Sequence, residues 1–192
     1  MFYKTELKDH IRIPPNMFDI KLEDAIIQRV KKKFEGYISK DFGIVIDVAN
    51  IDEIGEGIII PGDGAPYYTV KFSLLTYKPE MHEVAFGKIK DIADFGAFIN
   101  LGPIDGMIHV SQTMDDFVSF SKEKVLTGKE SKKVLKVGDN CRARIIAVSF
   151  KDLANPKIGL TMRQPGLGKL EWVEDEIKKV SEAPEEVKKG KK

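Results

Sequence analysis

Between residues 83 and 162 the chain offers five short stretches of alternating apolar and polar residues, and no other feature limits its fold so strongly. They cover residues 83–92, 97–101, 106–110, 140–148 and 157–162. Alternation with a period of two is the mark of a strand, because successive side chains leave the backbone on opposite faces. Between the third and fourth lies a polar stretch, residues 112–136, long enough for a short helix and a loop. The preceding segment has a different rhythm. Residues 2–12 alternate loosely and stop at Pro14-Pro15, as a strand followed by a turn does. Over 19–35, Leu22, Ala25, Ile26, Arg29, Val30 and Phe34 fall on one face of a helix, with Gly36 as its stop. Residues 42–51, 57–61 and 67–77 read as strands, the last with Val70, Phe72 and Leu74 on one side.

The predicted architecture is therefore an α+β N-terminal domain over 1–81, one helix on a small antiparallel sheet, followed by an all-β OB-fold barrel over 82–165. Five short strands interrupted between the third and fourth match the barrel that binds oligonucleotides. Residues 166–192 hold Trp172, Val173, Ile177 and Val180, which suit a short amphipathic helix. Beyond Pro184 nearly every residue is Glu or Lys, so a disordered end is expected. The stretch Gly62-Asp63-Gly64 looks like a phosphate loop, but no helical pattern follows to present its N-terminus. A tight turn between strands accounts for it.

Alternation also sorts the barrel side chains into two sets. Ala97 and Ile99, Ile108 and Val110, Cys141, Ala143 and Ile145, and Ile158, Leu160 and Met162 can fill an interior. The opposite set holds Phe98, Met107, His109, Arg142, Arg144, Lys157, Thr161 and Arg163, with Phe95 just before the second strand. Rings stack on bases and cations neutralise phosphates, so Phe95, Phe98, His109, Arg142, Arg144, Lys157 and Arg163 are candidate contacts for single-stranded RNA. Alternation alone leaves a second reading open, in which Phe95 and Phe98 plug the barrel and His109 is a hydrogen-bonded structural residue.

Charge and composition narrow the function classes. Lys+Arg total 31 and Asp+Glu 30, so the overall field of the molecule is too weak to hold nucleic acid by itself. Residues 82–165 carry 13 basic and 10 acidic side chains, against 11 and 13 over 1–81 and seven of each beyond 165, so the barrel segment is the one to inspect for RNA contact. Lys31, Lys32 and Lys33 extend from the predicted helix as a solvated face, or as a surface for an acidic partner or nucleic acid. With one cysteine, Cys141, in a predicted strand, no internal disulfide or multi-cysteine metal site is available. His10, His82 and His109 stand in no metal or triad spacing, and Asp115-Asp116 lies in the polar connection. No catalytic residues, metal or cofactor are expected. No apolar run is long enough to cross a membrane, and Met1-Phe2-Tyr3-Lys4 begins no secretory signal, so a cytoplasmic protein is expected.

Val84-Ala85-Phe86-Gly87-Lys88-Ile89, Asp94-Phe95-Gly96-Ala97-Phe98-Ile99, Asp105-Gly106-Met107-Ile108-His109-Val110-Ser111 and Leu160-Thr161-Met162-Arg163 resemble, in order, the RNA-binding domain named after ribosomal protein S-one. That resemblance implies that Phe95, Phe98 and His109 line a nucleic-acid surface. Two positions depart from the pattern. The acidic residue common near the end of the fourth strand is Ser149 here, or is displaced to Asp152, and the arginine at the start of the fifth is Lys157, which keeps charge but loses a planar bidentate contact.

Upstream, Pro61-Gly62-Asp63-Gly64-Ala65-Pro66-Tyr67-Tyr68, then Val70-Lys71-Phe72 and Lys78-Pro79, resemble the archaeal RNA polymerase E-prime subunits and their eukaryotic counterparts, the seventh subunits. The likeness implies a non-catalytic stalk subunit. Its truncated ribonucleoprotein-like N-terminal domain docks by its tip on the core polymerase, and the smaller F subunit of the polymerase packs along both domains. The stalk contacts nascent single-stranded RNA and assists promoter opening and elongation. An RNA-binding cap subunit of an exosome-like RNA-degrading complex, or a translation initiation factor subunit, shares the barrel but brings a different companion domain. A hydrolase acting on RNA is a third class, which metal-dependent cleavage by the chain would reveal.

Overall fold

The computed structural model describes residues 1–121, 123–152 and 156–182, without the side chains of 179–182. The chain divides into two compact units, one built on Met1–Pro79 and the other on Glu80–Ser149 and the described residues from Pro156 onward.

In the first unit β1 (Phe2–Arg12) leads through a 3-10 turn at Pro15–Met17 to α1 (Leu22–Phe34), then β2 (Ile38–Ser39), β3 (Gly43–Ile59) and β4 (Pro66–Tyr77). The sheet is antiparallel, in the order β1-β4-β3-β2. Helix α1 lacks a side-chain N-cap. It carries Glu23 and Asp24 in its first turn and Lys31, Lys32 and Lys33 in its last, each matched to the sign of the helix dipole at that end. Ala25, Ile26 and Val30 seal it onto Ile11, Val70, Phe72 and Leu74, all buried. The stretches 42–51 and 57–61 form a single strand, β3, where two were expected. Its register against β4 slips at four places between Val45 and Gly57, so the apolar period breaks although the strand continues.

The 62–64 segment is the expected turn. Arg12 donates from Nε and Nη2 to the two carboxylate oxygens of Asp63 at 2.7 and 2.6 Å, and the Tyr67 hydroxyl donates to the same carboxylate at 2.9 Å. The Arg12 guanidinium holds the Asp63 carboxyl well below the usual carboxylate range, with Tyr67 assisting.

The second unit holds β5 (Val84–Ala93), β6 (Gly96–Asn100), β7 (Asp105–His109), β8 (Val118–Ser121), β9 (Val125–Gly128), β10 (Val134–Lys136), β11 (Asn140–Ser149), β12 (Lys157–Thr161), β13 (Gly168–Lys169) and α2 (Leu170–Glu182). Strands β6, β5 and β11 follow one another, β11 also pairs with β12, and β12 runs parallel to β7, which closes a five-stranded barrel. Ile89, Ile99, Ile108, Ala143, Ile145 and Leu160 fill it, and Cys141 is packed among them. Packing is tight at the closure: a Cβ on Gly106 would stand 2.2 Å from Leu160 Cδ1, so any side chain there requires Leu160 to move.

Two expectations are corrected. The polar connection 112–136, expected to hold a short helix and a loop, instead follows a 3-10 turn at Val110–Gln112 with a three-stranded antiparallel sheet, β10-β9-β8. Its Leu126 and Leu135 join the barrel core. Thr161, expected to face outward, is buried: it pairs with Arg144, and the turn carrying Gln112 packs over it, its hydroxyl donating to Gln112 Oε1 at 2.8 Å. A helix does follow β13, while the expected disordered end beyond Pro184 lies outside the described residues.

Candidate nucleic-acid interface

Cross-strand register builds one outward wall on β6 and β7. Asp91 of β5 lies beside Phe98 of β6, which lies beside Met107 of β7, which lies beside Gly159 of β12. His109 pairs with Gly96, two residues from Phe98 on the same face, so imidazole and ring are diagonal neighbours roughly 7–8 Å apart. Between them Gly96 contributes no side chain. It can contribute none, because a Cβ would stand 2.2 Å from the Ile108 carbonyl oxygen. Phe95, at the β5–β6 turn, is 49% exposed and meets the half-buried Phe98 edge to face, with centroids 5.9 Å apart. The reading in which both rings plug the barrel therefore fails for Phe95. His109 is exposed, and its Nδ1 accepts from the Ser111 backbone N–H at 3.3 Å and contacts the Ser111 hydroxyl at 2.8 Å, which holds the ring by that nitrogen.

The predicted cations are not gathered in one place. Lys157, exposed, stands two residues before Gly159 at the β12 side of this wall. Arg163 lies past the other end of β12, with Nε and Nη2 on Asp115 Oδ1 at 2.7 and 2.6 Å. Arg142 lies elsewhere: it pairs with Phe86 at the start of β5, five residues from Asp91, or roughly 16 Å along the strand. Arg144 pairs with Val84 on that side and with Thr161 of β12 on the other, two residues past the Gly159 that meets Met107. Arg144 is committed to Gln164 Oε1 at 2.6 Å. Alternation separates inside from outside but not one side of a barrel from another. Exposed Phe86 and Arg142 thus form a second, smaller patch.

One cation of the wall escaped the sequence reading. Lys124, at the β8–β9 turn with a φ of 56°, reaches Asp91 at 2.7 Å and clips the inserted sheet beside Phe98. This bond, with the Ile92 backbone N–H, lowers the Asp91 pKa. Nothing in the spacing of Lys124 announces that contact, which depends on strands the polar composition concealed. Among the described residues no group of three or more His, Cys, Asp or Glu is placed to hold a metal ion, and no helix is long and apolar enough to cross a membrane.

A barrel with an exposed aromatic wall, joined to a helix-on-sheet unit, defines a class. Residues 78–150 match the model of the S1 RNA binding domain, and residues 8–64 match that of the SHS2 domain found in the N terminus of Rpb7p/Rpc25p/MJ0397. The chain is 40% identical to the DNA-directed RNA polymerase subunit Rpo7 of Sulfolobus acidocaldarius, over 94% of this chain and 100% of that one. It is 39% identical to the same subunit of Saccharolobus solfataricus, over 90% and 97%. It is also 28% identical to the RNA polymerase III subunit RPC8 of Bos taurus, over 79% and 78%. The chain belongs to the Rpo7 family of DNA-directed RNA polymerase subunits.

Proposed function

We propose that this non-catalytic polymerase subunit guides nascent single-stranded RNA along the β6–β7 wall. Phe95, Phe98 and His109 supply stacking surfaces, and Lys157 and Arg163 supply charge at the two ends. The observation that carries this reading is exposed Phe95 edge to face on half-buried Phe98, beside an exposed imidazole held through Nδ1, on an S1-type barrel. Bases stack on such rings whatever their sequence, each for about 1–3 kcal/mol. Arg142, with Phe86, would meet RNA only as a separate contact, whereas Arg144 lies across β12 from the wall, opposite Thr161.

The first unit is the docking module in this reading. Ile58, Ile59 and Ile60 are 61, 69 and 48% exposed at the tip of the β3–β4 hairpin, beside the turn that Arg12 and Asp63 brace. An apolar tip on a braced turn suits insertion into a large partner such as the core polymerase. Strand β1 is an edge of eleven residues, paired on one side only with β4 and carrying exposed Phe2. Long uncovered edges invite pairing with another chain, which suits a permanent companion such as the small F subunit. Tethering near the RNA exit path in the cytoplasm would offset a weakly charged surface, because short tethers give effective concentrations in the mM range. Support for initiation and elongation follows from that position.

The test uses the chain copurified with the F subunit and assembled on polymerase. Phe98→Ala combined with His109→Ala is expected to lower crosslinking to emerging transcript while the melting temperature stays near wild type. Undiminished crosslinking in the folded double variant sinks the wall as the RNA path, and failure of the wild-type chain to copurify with its small companion sinks the pairing.

A further inference from the structure

Beyond the wall, the second unit contains a cavity of about 310 Å³ between α2 and the end of β12. Its floor is apolar, with Met114, Met162 and Leu167 all buried. One wall is Trp172, half-buried, with Lys133 Nζ 5.4 Å from its ring centroid. Four charges line the mouth, and they cancel. Lys133 pairs with Glu176 at 3.1 Å, and Arg163 pairs with Asp115 at 2.6 Å. These side chains keep between 37 and 73% of their surface in water, so the pairs are weak and exchange partners at little cost.

The chemistry selects the occupant by elimination. A free cation meets Lys133 and Arg163, and a free anion meets Asp115 and Glu176. A purely apolar ligand leaves the mouth's donors and acceptors without use. A neutral, flat ring with hydrogen-bonding edges satisfies all of it, stacking on the indole while its N–H groups and carbonyls find carboxylates and cations. The volume lies at the low end of small-molecule pockets, which run from roughly 300 to 1,000 Å³. The cavity also continues the wall. Thr113 on its lining is four residues beyond His109, across a single 3-10 turn of roughly 2 Å rise per residue. Met162, on the floor, donates its N–H to the Gln112 carbonyl at 2.8 Å, which ties floor and turn together.

We propose that this cavity is a base-binding subsite, in which Trp172 stacks one unpaired base of an RNA strand leaving the β6–β7 wall while Arg163 and Lys133 turn to the flanking phosphates. The proposal rests on the wall being an RNA path, and the experiment separates the two. Trp172 is the sole tryptophan of the chain, so its emission reports this cavity alone. The full chain is titrated with an end-labelled single-stranded oligoadenylate of about 16 nucleotides, the upper site size of one such barrel. The anisotropy of the label reports binding anywhere, and indole emission reports stacking in the cavity. Emission should be quenched along the anisotropy isotherm. Phe98→Ala should move both curves to higher concentration and leave the quench at saturation unchanged. Trp172→Ala should weaken binding about 5- to 150-fold, and Trp172→Phe, which keeps a ring and spares the packing against Gly168, should restore most of it.

Rising anisotropy with unchanged emission would overturn the subsite and leave the wall standing. Equal quenching by an abasic oligomer would mean that charge alone acts there, and would overturn it too. An oligomer that binds nowhere even at concentrations of about 1 mM, the range a short tether supplies, would overturn both readings. Quenching by a charged peptide but not by the oligoadenylate would assign the cavity to a protein partner instead.

Discussion

Replacing Gly96 by alanine tests whether the wall depends on the close approach of β6 to β7. The added carbon would stand 2.2 Å from the Ile108 carbonyl oxygen and 3.1 Å from His109 Cα. Carbon and oxygen rest about 3.3 Å apart, so the strands must separate by about 1 Å. The obstruction is backbone, with no rotamer available to yield. Forced overpacking of this kind costs about 1–3 kcal/mol. For a domain of about 100 residues each kcal/mol lowers the melting temperature by roughly 4–8 °C, so a fall between about 4 and 24 °C is expected. The same separation carries His109 away from Phe98. RNA affinity measured below the melting range should therefore drop by up to one stacked base, about 1–3 kcal/mol. Gly64→Ala is the comparison, because its Cβ would meet nothing within 4 Å. Thermal unfolding followed by circular dichroism, with anisotropy of labelled RNA, reads both effects. A Gly96→Ala protein that melts with wild type and binds RNA equally well would refute the reasoning.

Three further outcomes follow from the packing and the ion pairs. Burial pushes the Cys141 thiol up to about 12, so it should resist alkylation in the native protein at neutral pH and react within the unfolding transition. Asp63 has a folded pKa below its unfolded value, so its pairing with Arg12 stabilises the first unit above the usual carboxylate pKa of about 3.9 and is lost as pH falls through the depressed value. Asp63→Asn should flatten that acid limb in melts taken at decreasing pH; a limb of unchanged steepness would deny the pair this role. Leu126→Ala should cost about 2–5 kcal/mol in urea unfolding although it lies in the inserted sheet, because Leu126 is wholly buried in the barrel core. A change of a few tenths would mark the insert as a separate appendage.

The barrel strands were legible where interior aliphatics recur at alternate positions, such as Ala97 and Ile99, or Ile158 and Leu160, although in β5 a register shift sets Ile89 and Ile92 three apart. The inserted strands were not. Strands β9 and β10 bury only Leu126 and Leu135 as large side chains, each next to a valine, so their apolar residues are adjacent and show no period of two. Strand β8 does alternate, with Val118 and Phe120, but over four residues and with neither buried. In β3 the opposite failure occurred: slips of register displace the alternation, so one strand of seventeen residues read as two. At the site, alternation points Phe98 and His109 outward, and their exposure agrees with it. The separation of Arg142 from Phe98 and the clip from Lys124 to Asp91 depend on where strands meet in space, which no local pattern encodes.

Three of the cations on and beside the wall are already spoken for, Lys157 not among them. Lys124 rests on Asp91, Arg163 on Asp115 and Lys90 on Asp105. A lysine that leaves a carboxylate for a phosphate frees a counterion from the RNA, yet the abandoned carboxylate gathers another from solution. The net release stays small, so the steep ionic-strength dependence usual for nucleic-acid binding, a slope of roughly −0.7 per phosphate on single strands, would shrink. Transcript on such a surface would be held mainly by ring contact, with a similar light grip in dilute and concentrated salt.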